Sequence, residues 1–327
     1  MAPDFQTALT SGDVNAVRRC PKSDLHNHAM LGGERGFLAQ RSGRNIAPLD
    51  RKLGSMAEMH AWVQGAVGEL LKDRKGRLLA FEATLVQARL DGVTRIEIGE
   101  DVWAITLHDG SAEELTHGLK RLHALAAPDI EWIPQLGLSR HCPIAAIERW
   151  LSPFLGLEFY RTLDLSGDEF AQPIEAFKPL FRQAKEAGLR AKAHVGEWGG
   201  ADDVWRAVEE LALDEVQHGI AAASSPAVMR FLADNQIRLN VCPTSNVMLG
   251  RVDSLASHPI RALYHAGVPV TVNTDDVLVF GNGVSEEFLG LYNAGLFSAG
   301  ELDGIRKTGL TDRYPPQEPS KARITSE

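Results

Sequence analysis

His26 and His28, in the run Asp24-Leu25-His26-Asn27-His28, are the first residues of the chain whose types and spacing could do chemistry. Side chains two apart in a strand point to one face, so the pair offers two imidazoles to one metal ion. Imidazole is the commonest protein ligand for zinc, and a catalytic zinc usually takes three protein ligands and keeps one position open. Two ligands are too few. Taken alone, the pair also matches two hydrogen-bonded histidines packed in a strand.

Other residues supply what is missing. His194 ends the run Leu189-Arg190-Ala191-Lys192-Ala193-His194 and is followed by Val195-Gly196-Glu197. His194 is the candidate third nitrogen ligand. Gly196 lets the backbone turn sharply, so that Glu197 can face the same cavity without binding the metal. Asp275 and Asp276 follow the apolar run 268–273. Two adjacent negative charges repel unless a cation or a proton neutralises one of them, and a zinc ion beneath them would do so. His218, in Val216-Gln217-His218-Gly219, is a candidate for a histidine that is not a ligand but holds the attacking water and shields its charge. Each motif also has a plain alternative: a strand-terminal histidine beside a solvated glutamate, or a solvated Asp-Asp turn. His60, His117 and His123 fall in helical-looking stretches and are expected to be surface or packing residues.

The elements that must position these groups are short β-branched or apolar runs alternating with helical patterns. Strands are predicted at 24–28, 93–99, 130–138, 160–165, 190–194, 215–218, 237–241 and 268–273, with helices at 173–187 and 201–211 among those between them. Eight strands each followed by a helix predict an α/β fold of the (β/α)8 TIM-barrel type, with a doubly wound sheet as the alternative. In a barrel, functional side chains belong at the C-terminal strand ends. Those ends carry His26 and His28, Glu97 and Glu100, Arg140, Gly167-Asp168, His194 with Glu197, His218, Thr244-Ser245-Asn246 and Asp275-Asp276. Residues 1–310 are expected to form one catalytic domain with a helical insertion after the first strand. Residues 311–327, with Pro315, Pro316 and Pro319 among charged residues, read as a polar tail.

Composition narrows the class. With 44% hydrophobic and 24% charged residues the chain reads as an ordinary soluble globular protein. A formal charge of −9 argues against a nucleic-acid or anionic-membrane surface and favours a small uncharged or cationic partner. Cys20, Cys142 and Cys242 are odd in number and far apart, which indicates no disulfide framework and a reducing cytoplasm. No basic leader and no run of about 18 apolar residues is present, so neither export nor membrane spanning is expected. Oligomeric state stays open.

Six motifs in order resemble the adenosine deaminase family of the amidohydrolase superfamily. They are Pro21-Lys22-Ser23-Asp24-Leu25-His26-Asn27-His28, Asp164-Leu165-Ser166-Gly167-Asp168-Glu169, His194-Val195-Gly196-Glu197, His218-Gly219, Cys242-Pro243-Thr244-Ser245-Asn246 and Asn273-Thr274-Asp275-Asp276. The resemblance implies a TIM barrel of the metal-dependent hydrolase type holding one Zn2+ per chain on His26, His28, His194 and Asp275. It also implies that Glu197 protonates the ring nitrogen beside the reacting carbon and that His218 orients the attacking hydroxide. Asp276 and the Gly167 N–H would bind other ring positions. The reaction so implied is hydrolytic deamination of an aminated purine or related heterocycle, with attack by zinc-activated hydroxide and release of ammonia.

The chain departs from the family at substrate-facing positions. Adenosine-specific members usually continue the first motif as His-x-His-Leu-Asp-Gly, whereas here Met30 stands where the ribose-binding aspartate would be. Met30 is therefore a substrate-side residue offering an apolar contact, and adenosine is disfavoured. Glu97, Glu100 and Asp101 crowd one strand end where many relatives carry an arginine, and Val277 replaces a usual proline. If Glu100 or Asp101 faces the pocket, donor or cationic groups on the substrate would be favoured over phosphate. Two other readings stay open: an amidohydrolase cleaving a cyclic amide or other C–N bond at the same mononuclear site, and a non-catalytic ligand-binding barrel. A two-metal site lacks its lysine, since Leu163-Asp164-Leu165 occupies the fourth strand, and a cytidine-deaminase type lacks its Pro-Cys-x-x-Cys pair.

Overall fold

The computed structural model of the chain describes residues 4–311, so the predicted tail lies outside the described residues except for Thr311. Eight strands run in the order β1 to β8 around one sheet: β1 (Lys22–Asp24), β2 (Val93–Asp101), β3 (Glu131–Ser139), β4 (Thr162–Ser166), β5 (Arg190–Val195), β6 (Glu215–His218), β7 (Arg238–Val241) and β8 (Val270–Val272). Neighbours from β1 to β8 pair in parallel, and helices connect successive strands, which makes the architecture a (β/α)8 barrel. All eight predicted strands exist, and the doubly wound alternative is excluded by the sequential strand order.

The seam between β8 and β1 is closed differently from the other junctions. Asp275 N–H donates to the His26 carbonyl (2.9 Å) and His28 N–H to the Asp275 carbonyl (3.2 Å), forming an isolated parallel bridge around Asn27. Lower down, Leu25 N–H donates to the Asn273 side-chain oxygen at 2.8 Å. This explains the one displaced strand: the first strand is not 24–28, because after Asp24 its neighbour is the loop that follows β8 rather than a strand ladder. His26 and His28 stand just beyond β1. Similarly, 173–187 divides into a 3-10 turn, Ile174–Phe177, and the helix Lys178–Glu186, while the helix Ala201–Leu211 matches its predicted span.

Charged and polar side chains fill the barrel interior, where aliphatic layers are usual. Lys192 on β5 reaches across to Glu97 on β2 (2.9 Å) and donates to the Leu25 carbonyl (2.8 Å), with both charged side chains fully buried. Arg238 pairs with Glu215 at 2.7 Å, and the Asn240 amide donates to Glu215 and to Gln217, each at 2.9 Å. Such groups persist away from water only when paired. Intervening strand residues, among them Ile96, Ile98, Leu136, Leu138, Leu163 and Leu239, are buried in the large apolar cluster with helix residues such as Phe81 and Phe181. Between β1 and β2 the chain makes a long excursion that contains the helices Arg35–Ser42, Met56–Val63 and Arg74–Leu90. Among the described residues no helix is long and apolar enough to cross a membrane.

Candidate active site

Three imidazole nitrogens and one carboxylate oxygen converge at the C-terminal mouth of the barrel. His194 Nε2 lies 3.0 Å from His26 Nε2 and 3.1 Å from His28 Nε2, while Asp275 Oδ1 is 3.1 Å from His28 Nε2 and 3.6 Å from His26 Nε2. Four ligands at zinc bond lengths of about 2.0–2.1 Å in a tetrahedron stand about 3.4 Å apart, so the separations fit such an ion. The other ring nitrogens fix the tautomers. His26 Nδ1 faces the Asn240 carbonyl (2.9 Å) and His194 Nδ1 the Leu165 carbonyl (3.2 Å). Carbonyls only accept, so both Nδ1 atoms carry hydrogen and both Nε2 lone pairs point at the shared centre. Burial holds His26 down to about pKa 4, keeping its lone pair free. Bare lone pairs aimed at one another repel, and a cation resolves the conflict.

Around this centre stand the other candidate groups. His218 Nε2 lies 3.5 Å from Glu197 Oε1 and 3.9 Å from Asp275 Oδ2. Its Nδ1 sits 3.2 Å from the Asn246 amide nitrogen, which only donates, so the ring hydrogen is on Nε2 and faces the two carboxyl groups. Burial, together with the neighbouring histidine His26, pushes His218 well below its ordinary pKa. Burial, then the charges of Asp275 and Glu169, push Glu197 well above the carboxylate range. Asp276 is raised to about 8 by burial and by Asp275. The backbone is strained at two of these positions: His218 (φ 61°) and Asp275 (φ 62°) adopt the left-handed region, costing about 1–2 kcal/mol each.

A cavity of about 280 Å³ opens onto the cluster. Met30, Met56, Met59, Val63 and Leu71 contribute an apolar side, and Asp101, Gln135, Ser139, His141 and Gly167 a polar one. Glu197, His218, Asp275, Gly167, Asp276, Met30, His28 and His194 line this cavity, and His26 joins His28, His194 and Asp275 in the candidate metal-binding group.

Some expectations change. Glu100 faces the cavity, but Arg77, from the helix Arg74–Leu90, grips it bidentately, with Nε 2.9 Å from Oε2. Asp101 accepts from the Trp103 indole at 3.0 Å. Glu100 is therefore already neutralised and gives no reason to favour a cationic substrate. His60 is exposed on its helix, as expected of a surface residue, and it also borders the cavity, with its ring centroid 5.3 Å from that of His141. His123 does pack, its Nε2 lying 2.9 Å from the Ile130 carbonyl. Sequence reasoning missed Asn246 as the group that orients His218, and Ser245, whose hydroxyl donates to Asp275 Oδ2 at 2.6 Å. It also passed over Glu169. All three lie inside quoted motifs, which was the available signal.

The adenosine deaminase family profile matches residues 158–327. The chain is 36% identical over 281 residues to a putative adenosine/adenine deaminase from Treponema pallidum, spanning 86% of this chain and 94% of that protein. It is 32% identical over 286 residues to an adenine deaminase from Albidiferax ferrireducens, covering 83% and 82% of the two chains. The crystal structure of adenine deaminase from Arthrobacter aurescens is similar at a TM-score of 0.78 and 27% identity, covering 89% of this chain and 92% of that one.

Proposed function

The chain belongs to the adenosine deaminase family and is a hydrolase acting on C–N bonds, and on that premise we propose that it is a zinc-dependent deaminase of adenine or a closely related aminated purine base, ahead of adenosine. The observation that carries the reaction is the convergence of His26, His28 and His194 Nε2 with Asp275 Oδ1, beside a Glu197–His218 pair. Zinc held by those four residues would lower the pKa of water to about 7 and so supply hydroxide at neutral pH.

The remaining work falls to the chain's own groups. Glu197, whose carboxyl is held above the usual carboxylate range by burial and by the neighbouring charges of Asp275 and Glu169, delivers a proton to the ring nitrogen beside the amino-bearing carbon, so that charge does not build there as the carbon becomes tetrahedral. The His218 Nε2–H donates towards the nucleophile and turns it to the ring face. The Gly167 N–H and the Asp276 carboxyl bind other ring nitrogens and hold the heterocycle in register. Ammonia leaves and a ring carbonyl remains.

Substrate choice rests on Met30 and on the relatives. A thioether beside His28 gives a ribose hydroxyl no partner, and an unpaired buried polar group costs about 1–3 kcal/mol. Two of the similar proteins are named adenine deaminases. An ammonia-release assay on adenine, adenosine and other aminated purines tests the proposal. Adenine should exceed adenosine in kcat/KM by about tenfold or more. Preference for adenosine would refute the substrate class, and turnover of cyclic amides without ammonia would favour the other amidohydrolase chemistry. Glu197→Gln should bind zinc normally while turnover collapses; undiminished turnover would reject its role.

A further inference from the structure

The amides of the loop that carries Glu197 are gathered by a single side chain. After β5 the chain turns at Gly196, which has a φ of 71°, and four successive amides, from Gly196 to Gly199, point to a common side. Successive N–H groups around a left-handed residue form a concavity suited to an anion. Here the anionic group is the Glu169 side chain, from the loop after β4. Its Oε2 accepts from Gly196 (2.8 Å) and Gly199 (3.2 Å), and its Oε1 from Glu197 (2.9 Å) and Trp198 (2.7 Å). Glu169 is buried, and no other side chain binds these four amides among the described residues.

We propose that Glu169 is the positioning residue for Glu197, and that the short segment Gly167-Asp168-Glu169 couples the seating of the heterocycle to the placement of the proton donor. Gly167 lines the substrate cavity, and two residues later the same segment clamps the loop bearing Glu197. The inference rests on the assignment of Glu197 as proton donor.

An isosteric change is not conservative here. In Glu169→Gln one oxygen becomes an NH2 group facing two N–H donors, so one side of the clamp turns repulsive while size and shape stay the same. A shift of the proton donor by about 1 Å is enough to cost on the order of 100-fold in rate. Behind Glu169 lies a second cavity of about 270 Å³ bordered by Arg140 and Val195, large enough to admit formate if the side chain is cut back.

The test uses zinc-loaded full-length protein: the parent, Glu169→Gln, Glu169→Ala and Glu197→Gln, with kinetics, zinc content and amide hydrogen exchange across residues 196–199. The expected result for Glu169→Gln is a fall in kcat of about 10- to 100-fold. KM and zinc content should stay close to the parent's, and exchange at 196–199 should be markedly faster. Formate should restore part of the turnover of Glu169→Ala and none to Glu197→Gln. Parent-like kcat or parent-like protection in Glu169→Gln overturns the proposal. If Glu197→Gln loses turnover while Glu169→Gln keeps it, the clamp alone is wrong. If both keep turnover, the proton-donor assignment is what fails.

Discussion

Ser245→Ala isolates the contribution of a single hydroxyl to the proposed metal site. Ser245 donates to Asp275 Oδ2 at 2.6 Å, and both residues are buried. That bond leaves the other oxygen, Oδ1, facing the His28 and His26 Nε2 atoms. Alanine removes the donor without adding volume, so the carboxyl group loses its anchor and must be ordered by the ion itself. A hydrogen bond to a charged acceptor contributes about 1.5–3 kcal/mol. At about 1.4 kcal/mol per decade, this is on the order of 10- to 100-fold in zinc affinity, the range usual for groups that orient metal ligands. Competition with a chelator of known affinity at constant pH measures it directly. Zinc dissociation constants within twofold of each other would refute the claim that Ser245 orients Asp275. A large fall in kcat at saturating zinc, with affinity unchanged, would move its role from the metal to the reaction.

Two further outcomes follow from the buried charges. Lys192→Met leaves Glu97 without its buried cation and should cost about 3–5 kcal/mol in chemical denaturation, with Lys192→Met/Glu97→Leu recovering much of it; a double variant as unstable as the single one contradicts the pairing. Burial raises Glu287 to about pKa 8 from 4.5, while it accepts a hydrogen bond from Thr244 N–H at 3.1 Å. Below pH 4.5 both folded and unfolded chains hold that proton; between 4.5 and 8 only the unfolded chain releases it, so stability falls as pH rises through this window. Glu287→Gln cannot ionise, and its stability relative to the parent should climb across the window, by at most about 1.4 kcal/mol per pH unit. Melting temperatures of the two proteins from pH 4 to 9 check this, and a flat difference would show that Glu287 does not titrate in that way.

The polar interior bears on how the site keeps its shape. Lys192 bonds the carbonyl of Leu25, the residue before His26, and the Asn240 carbonyl receives the His26 Nδ1 hydrogen. The candidate metal-binding residues are thus braced from below by the same network that fills the barrel. Rigid supports of this kind are what a preorganised site requires.

How far the chain could be read without coordinates depended on the range of the interactions. The number of strands, and the location of the chemistry at their C-terminal ends, follow from short-range alternation of apolar runs and helical patterns, which the local sequence encodes, whereas the strand order that makes a barrel rather than a doubly wound sheet is tertiary. The candidate residues were recognisable because the motifs keep chemically distinctive types at fixed spacing. What only the tertiary structure decided are contacts between groups far apart in the chain. Glu169 meets amides 27 to 30 residues later, Ser245 meets Asp275 30 residues later, and Arg77 neutralises Glu100 from a neighbouring helix. Each depends on which loops the barrel brings to one rim, and no local pattern records that. The first strand shows the same limit: His-x-His was legible as a pair, but its position beyond the strand end is set by Asp275, some 250 residues away, whose backbone closes the barrel against it.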